Sequence, residues 1–159
     1  MSQRMNYFAA APEGLQAMIN LEKYIASCSN KRDTLEGSLV TLIKLRVSQI
    51  NGCAYCIDMH SKDARAEGET EQRLYTLSAW RETSFYSEKE CAALAWAEAN
   101  TLIAGNSIDD ELYSHAREHF SEPALVDLTL TIAAINSWNR IALSFRPEAG
   151  SYEVGSINF

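Results

Sequence analysis

The sequence predicts an all-α protein. Apolar residues recur at three- and four-residue intervals over most of its 159 residues, and glycine and proline are scarce (seven and three). Helix-capping residues also stand in front of successive apolar stripes.

Each element follows from those signals. Pro12-Glu13-Gly14 opens a first helix, in which Leu15, Met18, Ile19, Glu22 and Ile25 share a stripe, ending near Ser29-Asn30. Leu39, Leu42, Ile43, Val47 and Ile50 form a second stripe at three-four spacing. A third helix begins just after Asn51-Gly52 and runs to Gly68, a residue suited to the position beyond a helix end. Thr70 caps a fourth, carrying Leu74, Leu77 and Trp80. Ser87-Glu88-Lys89-Glu90 matches a capping box and opens a fifth, through Ala93, Leu94, Ala97 and Leu102, stopped near Gly105. Asp109-Asp110-Glu111 sets acids on the positive dipole end of a sixth. The seventh and longest starts at Ser121-Glu122-Pro123, passes Leu128, Ile132, Ile135 and Trp138, and stops at Arg146-Pro147. Residues 148–159 read as an irregular tail. One stretch, Ile43 to Ser48, alternates apolar and polar like a strand. No other segment offers partner strands, and the wider window from Leu39 to Ile50 fits the helical period better.

The bounds are those of one domain, 1–159, long enough to bury a core. A net charge of −7 argues against nucleic acid or an anionic membrane as partner. Met1 to Ala11 lacks the apolar run of a signal peptide, and no segment approaches the ~20 apolar residues of a membrane span. A cytoplasmic location is therefore expected, with four cysteines that are reduced, catalytic or metal-binding.

The chemistry concentrates in Cys53-Ala54-Tyr55-Cys56-Ile57-Asp58-Met59-His60. On a helix, Cys53, Cys56 and His60 fall within an arc of roughly 60°. Cys53 in the first turn meets unpaired amide groups, while His60 lies one turn beyond Cys56 as its i,i+4 neighbour. An imidazole that takes the Cys56 proton makes a thiolate able to attack an O–O bond. Cys53 would then resolve the sulfenic acid as a disulfide, and an external dithiol would reduce it.

Competing readings are weaker. Structural zinc needs four ligands, and Cys28, Cys91, His115 and His119 are isolated or on other helices. Covalent haem needs histidine directly after the second cysteine, where Ile57 stands. Two buried cysteines that merely pack remain an alternative. His115 and His119 share a helix face, but Glu118 does not fit the zinc-protease pattern, so that face reads as solvated. Trp80, Trp96 and Trp138 read as core or subunit interface.

Ser48-Gln-Ile-Asn-Gly-Cys-Ala-Tyr-Cys56 with His60 resembles the alkylhydroperoxidase D-like branch of the carboxymuconolactone decarboxylase superfamily. Leu45-Arg46, Ala64-Arg65-Ala66, Gly68, Ala97-Glu98-Ala99 and Ile135-Asn-Ser-Trp-Asn-Arg140 extend the likeness over most of the chain. The resemblance implies an all-α fold of about seven helices and obligate homo-oligomers: dimers, trimers or hexamers. It implies peroxidase and disulfide reductase activity without a bound cofactor, recycled by a dithiol or a thiol-carrying adaptor protein. It makes Cys56 peroxidatic, Cys53 resolving and His60 part of a proton relay. Two positions depart from it: Thr41 stands where the best-known members carry a relay glutamate, and Tyr55 where they carry a histidine. Glu36 is then the first candidate for the acid, against an ordinary first-turn helix acid after Thr34, and Glu98, in an apolar stretch, the second. Tyr55 either packs or orients substrate. The expected activity is reduction of hydrogen peroxide or small organic hydroperoxides. A cofactor-free lyase like the superfamily's namesake and a non-enzymatic redox sensor are the alternatives.

Overall fold

The computed structural model describes residues 3–28, 35–105 and 107–157. Among them are eight α-helices, one 3₁₀ segment and no strand. They are α1 (Tyr7–Ala10), α2 (Pro12–Cys28), α3 (Gly37–Asn51), α4 (Ala54–Ala66), α5 (Glu71–Thr76), α6 (Glu88–Thr101), α7 (Asp110–His119) and α8 (Glu122–Phe145), with the 3₁₀ segment Leu77–Glu82 after α5. The expected capping box is complete, with Ser87 and Glu90 bonding each other's backbone amides. Asp109 and Ser121 cap α7 and α8 as expected. Gly68, at φ 96°, takes the left-handed position past α4. Ser29-Asn30, the expected end of the α2 stripe, and Thr34 lie outside the described residues.

Three features differ from the sequence reading. The turn of helix α1, capped by Asn6, was not expected; it buries none of its residues, so no apolar stripe announces it. The expected fourth helix divides at Thr76, and the chain winds on as 3₁₀. The backbone bends at Ala79 (φ −120°, ψ 31°), and Leu77 and Trp80 on either side of the bend are both buried in the core. Cys53 does not enter the first turn of α4 but caps it.

The strand-like alternation is resolved by burial. Helix α3 runs through the middle of the molecule against α4, α6 and α8. Ile43, Leu45, Val47 and Ser48 are all buried, which a one-sided helix could not achieve. The intervening cations are matched by acids from other helices. Lys44 Nζ donates to Glu22 Oε2 at 2.6 Å, and Arg46 Nε donates to Glu98 Oε1 at 2.8 Å. Glu98 also accepts from Trp80 Nε1 and from Arg81, which pins the 3₁₀ segment to α6. No helix of the described residues is long and apolar enough to cross a membrane.

Candidate active site

The α3–α4 corner builds the site. Gly52 ends α3 in the left-handed conformation (φ 68°), a region that glycine enters at little steric cost. The chain then reverses, and Cys53, in extended conformation, caps α4 with its Sγ accepting from the Cys56 amide at 3.4 Å. The two cysteines are joined as a disulfide, with Cα atoms 5.4 Å apart. A polar ladder holds the corner against α8. Asn51 Nδ2 donates to Asn136 Oδ1 (3.0 Å) and Asn139 Oδ1 (2.9 Å), and Asn139 Nδ2 donates to Ser48 Oγ (3.1 Å). The Ser48–Cys56 and Ile135–Arg140 stretches, far apart in sequence, thus form one structure.

Cys56 lies on the wall of a cavity of about 410 Å³ whose apolar lining includes Phe8, Ile19, Met59, Ile135 and Trp138. Cys53 is buried beneath and does not line it. Tyr55 and Tyr7 face the cavity, and burial pushes both phenols up from their ordinary pKa.

His60 is on the same wall and buried. Loss of hydration, reinforced by the charge of Lys44, pulls its pKa down to about 3, so beside the disulfide it is a neutral imidazole. Its Nδ1 stands 3.8 Å from Asp63 Oδ2, beyond hydrogen-bond distance.

The acids are arranged differently from the expectation. Glu36 stands just before α3 at the surface without a side-chain capping bond, 74% exposed, with its carboxylate on Lys89, and lines no part of this cavity. Glu98 is consumed by Arg46, Trp80 and Arg81. Thr41 donates to Glu67 Oε1 at 3.1 Å, so a carboxylate from the end of α4 reaches the place where position 41 lacks one. Glu67 and Asp63 share a second cavity of about 330 Å³ with Lys44 and His60. Desolvation raises both carboxyls' pKa values.

Sequence reasoning missed Glu22 as a site residue. It is 3% exposed, lines the Cys56 cavity beside Lys44, and accepts from Trp138 Nε1 at 3.1 Å. The signal that could have found it is an acid inside the apolar stripe Leu15–Ile25, the same signal that singled out Glu98.

The tail closes the arrangement. Tyr152 donates from its hydroxyl to Asp63 Oδ1 at 2.6 Å, Lys62 Nζ donates to the Tyr152 carbonyl at 2.9 Å, and the Gly150 amide donates to Asp58 Oδ2 at 3.1 Å. Ser156 and Ile157 thereby reach the rim of the Cys56 cavity.

As for metals, possible ligand atoms of His115, Glu118 and His119 lie within 4.8 Å of one another on α7, outside both cavities. His115 and Glu118 are exposed, His119 is half-buried, and none lines the cysteine site.

Comparison with known proteins gives a consistent picture. The model of the carboxymuconolactone decarboxylase family matches residues 12–99. The uncharacterized protein YdfG of Bacillus subtilis is 53% identical over 151 residues, spanning 95% of this chain and 99% of that protein. A crystal structure from Agrobacterium tumefaciens, of a protein for which antioxidant defence of the AhpD kind has been suggested, is 44% identical with a TM-score of 0.87, covering 95% of this chain and 100% of its own. The debrominase Bmp8, solved with 2,3,4-tribromopyrrole, shares the fold at 23% identity and a TM-score of 0.78, covering 91% of this chain and 74% of its own.

Proposed function

Because the chain belongs to the carboxymuconolactone decarboxylase family, we propose that it is a thiol-dependent peroxidase of the AhpD-like branch, reducing hydrogen peroxide or small organic hydroperoxides. The observation that carries the reading is that Cys56, disulfide-bonded to Cys53, opens onto a mostly apolar cavity beside His60, whereas Cys53 does not. In the reduced protein the Cys56 thiolate attacks one peroxide oxygen, the O–O bond breaks, and the other oxygen leaves as alkoxide or hydroxide to be protonated. The Cys53 thiol then displaces water from the Cys56 sulfenic acid, and an external dithiol or thiol-carrying adaptor protein reduces the disulfide. Apolar side chains of the cavity wall accommodate an organic hydroperoxide, and Tyr55 orients it.

The setting we propose is cytoplasmic, where dithiol reductants are maintained. The protein works there as a homo-oligomer, a reading supported by exposed apolar side chains such as Tyr113, Val126 and Leu143 on α7 and α8.

Stopped-flow mixing of the reduced protein with cumene hydroperoxide or hydrogen peroxide, with mass spectrometry of the products, tests the reading. Peroxide loss matched by Cys53–Cys56 disulfide formation is expected, with C56S inactive and C53S halted at the sulfenic acid. A C56S protein that still turns over with reductant would sink it. Slow oxidation without peroxide turnover would favour a redox sensor, and turnover of a carboxylated lactone insensitive to thiol alkylation would favour a decarboxylase.

A further inference from the structure

We propose that Lys44 is the general acid of this site, giving its proton to the oxygen that leaves when Cys56 attacks a peroxide, and that Glu22 and Trp138 hold it for that task. The inference rests on the peroxidase reading above and names the proton donor that reading leaves open.

Glu22 and Lys44 are a charge pair largely removed from water on the wall of a mostly apolar cavity, with side-chain exposures of 3% and 12%. Such a pair costs desolvation on both partners, and a well-packed apolar pair of similar size is often as stable. Its presence beside Cys56 is therefore poorly explained by stability. The geometry is directed: Glu22 uses one carboxylate oxygen for Trp138 and the other for Lys44, which fixes the ammonium between α2, α3 and α8. An alkoxide is a strong base, and a proton donor held in place speeds its departure. His60 is not that donor, because it carries no second proton near neutral pH. Glu36 and Glu98 are engaged elsewhere. Tyr7 and Tyr55 face the cavity too, but among the described residues neither is held by a buried charged partner as Lys44 is by Glu22.

The step balances. The sulfur–oxygen bond forms as O–O breaks, sulfur is oxidised by two electrons, and the leaving oxygen takes a proton from Lys44 Nζ. Resolution by the Cys53 thiol releases water and needs no further proton. Lys44 recovers its proton in the next cycle as the Cys56 thiol ionises, both groups lining one cavity.

The test uses single-turnover peroxide reduction with two oxidants: cumene hydroperoxide, whose alkoxide leaves poorly without a proton, and peracetic acid, whose acetate needs none. The variants are E22Q/K44M, which removes both charges yet keeps an acceptor for Trp138, and K44R, which keeps the ion pair but cannot give up a proton. We expect both to lose about 100-fold more rate with cumene hydroperoxide than with peracetic acid. Equal losses on both oxidants, in folded protein checked by circular dichroism, would make Lys44 merely structural and overturn the proposal. Full activity of K44R would show that charge alone suffices, which also overturns it. So would an oxidant-selective loss in Y55F that the Lys44 variants lack. Wild-type protein that consumes neither oxidant fails the peroxidase reading itself, a result distinguishable from the other three.

Discussion

At the scale of single residues, the site is governed by what burial does to charge. His60 has a pKa near 3 in the folded, disulfide-bonded protein and an ordinary value near 6.5 unfolded. Between those pH values the unfolded chain binds the extra proton, so stability falls as pH falls, by up to roughly 1.4 kcal/mol per pH unit. Urea midpoints of the oxidised protein should therefore drop below pH 6.5, and H60Q should flatten that slope. Glu36 illustrates the opposite case. Exposed and, among the described residues, paired with Lys89, it should be replaceable by glutamine with less than about 0.5 kcal/mol of stability change, and with unaltered peroxide kinetics. The difference between these residues was only partly legible. Spacing placed His60 one turn from Cys56, but the desolvation that keeps it neutral comes from helices remote in sequence.

At the scale of elements, corners and crossings carry the fold. Gly52 has open space around the position a Cβ would occupy, so G52A should fail only through its positive φ, at about 1 kcal/mol. Asn139 is fully buried and ties α8 to both Ser48 and Asn51. N139A should cost roughly 1–3 kcal/mol by urea unfolding, since it strands polar partners inside. Helix α3 shows why periodicity alone misleads at a molecule's centre. A helix buried on every side loses its polar face, and what remained was the alternation of Lys44 and Arg46 with aliphatic neighbours, which imitates a strand. Capping residues were more dependable, because an N-cap satisfies amides within three residues of itself and needs no other element.

At the scale of the whole molecule, residues 148–157 are a cover for the site. Tyr152, Asp63, Lys62 and Asp58 fasten them to α4, placing Ile157 against both cavities. Truncation after Pro147 should lower the urea midpoint and make the Cys53–Cys56 disulfide reducible several-fold faster by dithiothreitol, followed by thiol release. An unchanged rate of reduction would mean that the tail does not limit access.

The sequence by itself determined what acts over a few residues: most of the helices, several of their caps, the Cys53–Cys56–His60 cluster and the family likeness those residues carry. Tertiary structure alone decided which acids and cations surround the sulfur. Glu22 meets Lys44, Thr41 meets Glu67, and Asp63 meets Tyr152, across 22, 26 and 89 positions of chain. Those pairings follow from the packing of α2, α4, α8 and the tail around α3, and a local period of 3.6 residues holds no information about which helix will lie alongside.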